Sequence, residues 1–97
     1  MRRALVERSL RDVHARLKRA REELAVLDEQ LVVMNDAADD TRIRSLVSET
    51  PLAAHDHSDA QRTADAANLA RALLLATIGD LEHRQDELLG RLVVEPR

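Results

Sequence analysis

From residue 6 onward the apolar positions advance by alternating fours and threes: Val6, Leu10, Val13, Leu17, Ala20, Leu24, Leu27, Leu31, Met34 and Ala38. Ten successive matches to a heptad template predict one long helix with a coiled-coil seam. Leu10, Leu17, Leu24 and Leu31 share one heptad position. The following stretch, NDAADDTRIRSLVSET, contains Asn35, Asp36, Asp39, Asp40 and Thr41, all of low helix propensity. Ile43, Leu46 and Val47 still fall on one helical face. The first helix is therefore expected over about 3–48, with room for a kink near 36–41.

The second apolar segment repeats the step at Ala60, Ala64, Ala67, Leu74, Ile78, Leu81, Leu88 and Leu92, with Arg71 and Gln85 as polar interruptions. Ser58-Asp59-Ala60-Gln61 fits a capping box, in which the Ser hydroxyl accepts from a first-turn amide and Gln61 reaches back. That places a second helix at about 58–93, ending before Pro96. Between the two, Thr50-Pro51 breaks the first helix, because proline disfavours helical geometry in the residue before it. Thr50 as N-cap with Pro51 at the first helical position also allows a helical turn ahead of the second helix. The bend is placed within 49–57 in either case.

A short connection makes the two helices antiparallel neighbours. The expected fold is all-α: a long antiparallel helical hairpin, or two-helix coiled coil, forming a single domain over residues 1–97. At ~1.5 Å rise per residue it would be a rod on the order of 60 Å long. Pairing about the bend sets Leu24 near Ile78, Leu17 near Gln85 and Leu88, and Leu10 near Leu92.

Composition sharpens this picture. The chain has no Phe, Tyr or Trp, the side chains that each bury ~150–250 Å². Its core must come from Leu, Val, Ala and a little Ile and Met, which suits helix-on-helix packing and ill suits an enzyme pocket with aromatic walls. With no cysteine there is no disulfide framework, thiolate metal site or Cys nucleophile. No apolar run approaches a membrane span, and the basic start MRRALVERSLRDVH lacks the apolar stretch of a signal peptide. The expectation is a cytoplasmic protein without a membrane partner. Fourteen Arg against one Lys, with fifteen Ala, point to a GC-rich, bacterial coding sequence.

Charge is distributed unevenly. Residues 1–21 carry eight basic side chains and two acids, and residues 22–60 carry two Arg and ten acids. Folding back brings Asp80, Glu82, Asp86, Glu87 and Glu95 beside the basic start, leaving the acidic excess at the bend.

The densest candidate chemistry is HDHSD. His55, Asp56, His57 and Asp59 have ligand types suited to zinc or nickel. A bend offers no second shell to fix the imidazoles, however, and the Asp and Ser residues are explained as helix caps. No metal site, no cofactor and no enzymatic activity are expected, since a slender hairpin exposes nearly every titratable side chain.

Arg2, Arg3, Arg8, Arg11, Arg16, Lys18, Arg19 and Arg21 are potential phosphate contacts. Against nucleic acid stand the net charge of −3, the absence of aromatic platforms for stacking bases, and the acids of the second helix competing for the same arginines. A basic stretch beside a leucine heptad is also the layout of a DNA-reading zipper. Here the basic segment overlaps the seam instead of preceding it.

The acidic end, with Asp36, Asp39, Asp40, Glu49, Asp56 and Asp59, is similar in general shape to the secondary-channel regulators of bacterial RNA polymerase. Their coiled coils carry carboxylates to the catalytic magnesium. The resemblance lies in topology and charge, with no sequence motif behind it. It implies a hairpin-type polymerase regulator acting through an acidic tip as an alternative function.

The leading expectation is a non-catalytic adaptor or oligomerisation module. A two-helix seam uses about two apolar positions per heptad, yet LAVLDEQLVVM adds Val26, Val32 and Val33 around it. The second helix does the same at Leu69, Leu73, Leu74 and Leu75. This widened stripe is expected to be an interface with another protein, foremost a second copy of the chain, giving a homodimeric four-helix bundle.

Overall fold

The computed structural model describes residues 2–94, which form two α-helices, α1 over Arg2–Ser48 and α2 over Pro51–Val94. The architecture is the expected all-α helical hairpin, with no strand among the described residues. Glu95 and Pro96 lie outside them.

Helix α1 continues unbroken through 36–41. Asp40 pairs with Arg44 one turn later, which offsets part of the poor propensity there. The Thr41 hydroxyl, 2.8 Å from the Ala37 carbonyl and 3.0 Å from that of Ala38, donates back into the helix, a bond that satisfies the hydroxyl and does not itself favour the helix.

Helix α2 starts at Pro51 and not at Ser58, so the bend spans Glu49 and Thr50 alone instead of 49–57. Thr50 is the cap: its Oγ1 accepts from the Ala53 N–H at 3.2 Å, and its carbonyl accepts from Ala54 at 3.1 Å. Pro51 supplies a pre-set φ at a position whose N–H would have no intrahelical partner. Leu52-Ala53-Ala54 then propagate the helix, and nothing before Ser58 stops it. Asp59 and Gln61 consequently act inside the helix, Asp59 beside His55 and Arg62, and Gln61 donating to Asp65 at 2.9 Å. The reversal itself falls on Glu49, whose φ of 51° is left-handed, while its N–H closes the last turn of α1 on Ser45 at 3.1 Å.

The tertiary contacts gather into two compact units, each built from one segment of either helix. The first takes α1 up to Leu24 and α2 from Leu74. Its core is Val6, Val13, Leu17 and Ala20 against Ile78, Leu81 and Leu88, with Leu10, Leu24, Leu74 and Leu92 packed around it. Leu17 and Leu88 are each only 1% exposed. Arg21 and Glu82 bridge the helices at 3.0 Å.

The second unit is Ala25–Leu73. Asp28–Arg71 at 2.6 Å and Thr41–His57 at 3.5 Å tie its two segments together. The sequence separation of these pairs falls from 43 to 16 residues toward the connection, as an antiparallel pair requires. Six levels follow from that register: Leu27/Arg71, Leu31/Ala67, Met34/Ala64, Ala38/Ala60, Thr41/His57 and Ser45/Ala53. Alanine dominates the α2 side, so this seam buries little apolar surface for its length. Leu31, Ala38, Ala64 and Ala67 are its buried apolar residues.

The connection gives a paired test. Glycine carries no Cβ penalty at a left-handed position, so Glu49→Gly is expected to raise the unfolding free energy by ~1 kcal/mol. Thr50→Ala, which removes the cap, should lower it by about 1 kcal/mol. Denaturant titrations at fixed protein concentration check both; a Glu49→Gly protein less stable than its parent contradicts the assigned turn.

Candidate interaction surface

The four residues of the HDHSD motif lie on α2 and are divided among its faces. His55 and Asp59, one turn apart, share an exposed face and approach to 3.1 Å. His57 points the other way, into the seam, where its Nδ1 meets the Thr41 hydroxyl. The Thr41 hydroxyl also lies within hydrogen-bond distance of the Ala37 and Ala38 carbonyls. Asp56 borders a shallow open depression with Thr41, Arg44, Ser48 and Ala53. Among the described residues no group of three or more His, Asp or Glu is placed to hold a metal ion.

Of the acidic residues near the connection, Asp36, Asp39 and Glu49 are exposed, while Asp40 and Asp59 carry the ion pairs with Arg44 and with His55 and Arg62. In the basic segment Arg3 pairs with Glu7 at 3.2 Å and Arg21 with Glu82. No helix among the described residues is long and apolar enough to cross a membrane.

The widened apolar stripe separates into distinct locations. Leu74 belongs to the seam of the first unit, half-buried against its core, and is not part of an outer surface. Leu75, its successor, lies in that same unit and is 40% exposed. Val26, Val32, Val33, Leu69 and Leu73 belong to the second unit and are 54%, 62%, 69%, 62% and 62% exposed.

Helical geometry then sorts these five. The residue before a seam position lies about 100° back around its helix. In an antiparallel pair the chain direction and the facing direction both reverse, so the predecessors of seam residues on the two helices fall on the same side. Val26 precedes Leu27, Val33 precedes Met34 and Leu73 precedes Leu74; these three share one side. Val32 follows Leu31 and faces the opposite side, whereas Leu69 lies on the outer surface of α2. Stepping through the remaining predecessors adds Gln30, Ala37, Thr63, Ala66 and Ala70 and, nearer the connection, Asp40, Arg44, Leu52, Asp56 and Asp59, all exposed. Those alanines were missed by looking for large side chains alone; their signal is phase relative to the seam. The side opposite carries Asp28, Asp39, Arg42 and Asp65 and is mixed in character.

No protein-family model matches the chain, and none of the curated proteins or solved structures compared with it does. The chemistry is therefore read from these surfaces. With the HDHSD side chains split between faces, His55→Ala/His57→Ala is expected to leave helicity unchanged, and zinc to leave the melting temperature of the parent unchanged. A zinc-dependent rise that follows mass action and disappears in the double variant would contradict the assignment.

Proposed function

We propose that the chain is a non-catalytic helical module acting through protein–protein contact, and that its first partner is a second copy of itself, two hairpins closing into a four-helix bundle. The observation that carries this reading is a mismatch in the second unit. Its own seam is poor in large apolar side chains, while Val26, Val33, Leu69 and Leu73 stand exposed outside it. A two-helix pair orders many residues for little burial. Covering the exposed side adds ~0.8 kcal/mol per buried methylene group, and a closed two-fold pair covers it without leaving a copy exposed.

The depression lined by Thr41, Arg44, Ser48, Ala53 and Asp56 is open to solvent and lined by small or solvated side chains, which suits surface contact better than enclosure of a small molecule. An adaptor role toward a further protein is compatible with the same surface.

Assembly is the decisive measurement. Light scattering at micromolar protein is expected to give twice the chain mass, and the melting temperature to rise with protein concentration. A well-folded monomer with a concentration-independent melting temperature would overturn the reading. Neutralising Asp39→Asn, Asp40→Asn and Glu49→Gln together should leave assembly intact. Its loss in that variant would assign the acidic end to the contact.

A further inference from the structure

The second copy, if it docks, has two sides of the second unit to choose between. A two-fold contact sets residue i against residue j of the copy and j against i, so a face whose charges are all of one sign finds no opposite charge on its copy, whereas an uncharged face escapes that cost. The two sides differ sharply by this criterion. On one, α1 presents Val26, Gln30, Val33 and Ala37, and α2 presents Thr63, Ala66, Ala70 and Leu73. None is ionisable, and the alanines allow close approach of the backbones. At the same levels the opposite side presents Asp28 and Asp65 with no basic residue, and Val32 as its large apolar side chain.

We infer that a second copy of this chain packs on the side formed by Val26, Gln30 and Val33 with Ala66, Ala70 and Leu73, and that it does so antiparallel, helix α1 against its own copy. This rests on the self-association proposed above and adds the face and the direction. The direction follows from charge beyond the apolar stretch. Continuing toward the connection, the same side carries Asp40, Arg44, Asp56 and Asp59, three acids and one arginine. A parallel pair would lay α1 on α2 at equal levels, setting Asp40 and Arg44 of each copy over Asp56 and Asp59 of the other, an excess of acids that one arginine per copy does not balance. An antiparallel pair separates these acidic groups. It also brings Gln30, near the midpoint of the uncharged stretch, beside its own copy, where an amide both donates and accepts. A single polar side chain at such a position specifies register.

The native chain has no cysteine, so Ser48→Cys introduces a single site for a nitroxide label. In the antiparallel pair the two labels lie about 50 Å apart, at ~1.5 Å rise per residue from the midpoint of the face. In a parallel pair both labels sit at the same end, under ~30 Å apart for helices packed at 8–10 Å. Electron–electron double resonance reads this distance, and light scattering of Ala66→Glu and Val32→Glu reads the face. Both positions are exposed, so helicity by circular dichroism should hold in either variant. Expected are the long distance, loss of the dimer in Ala66→Glu at a concentration where the parent is fully paired, and an intact dimer in Val32→Glu. A dimeric parent whose pairing survives Ala66→Glu, or fails in Val32→Glu, overturns the face while leaving self-association standing. The short distance overturns the direction, and a monomeric parent overturns self-association itself together with this inference.

Discussion

Heptad phase is the constraint on which the rest of the molecule depends. Without Phe, Tyr or Trp anywhere in the chain, no single large apolar side chain can anchor the packing. Burial accumulates only if each helix returns an apolar residue to the same line every three or four positions. Among the described residues of α2, every position that is not exposed lies on that step, from Ala53 to Leu92. On α1 the same holds from Val6 to Ser45, with Ser9 and Asp28 as the flanking additions. Thr50 and Pro51 matter because they set where α2 begins, and thereby which levels of the two seams meet.

The two units fill the seam differently. In the first, leucine and valine meet leucine and isoleucine, with Gln85 as its polar position. In the second, α2 offers mainly alanine, and Arg71 and His57 occupy seam positions outright. These polar groups are accommodated: Arg71 reaches Asp28, His57 meets Thr41, and among the described residues no buried side-chain nitrogen or oxygen lacks a hydrogen-bond partner. They contribute register more than apolar burial, since a slip by one turn would separate both pairs. The apolar surface missing from the seam of the second unit is present on its outside. That is why the outer face, and not the HDHSD motif, is where interaction is assigned.

Much of this was legible in the sequence. Both helices, their antiparallel order and the break at Thr50-Pro51 follow from a period repeated many times over, which averages out local ambiguity. The start of α2 was not legible, because Thr50-Pro51 and Ser58-Asp59-Ala60-Gln61 are both valid cap signals, and only the geometry shows the first one used. At 36–41 low intrinsic propensity does not interrupt the helix: α1 is continuous there, with Asp40 paired to Arg44 one turn on. The candidate surface was half legible. Val26, Val33 and Leu73 were identified by size, but Leu74 belongs to the core, Val32 lies on the far side, and Ala37, Ala66 and Ala70 escaped notice. Sorting them requires the register between the helices, which one strand of pattern does not contain.

A second copy that completes the alanine-rich half of the hairpin, by covering the side of Val26, Val33, Ala66 and Leu73, would slow local opening there. Amide hydrogen exchange at high and at low protein concentration reads that opening residue by residue. Amides between Leu31 and Ala38 and between Ala64 and Ala67 are expected to gain protection as concentration rises. Exchange of those amides that is the same at every concentration, in a chain that remains helical, would contradict it.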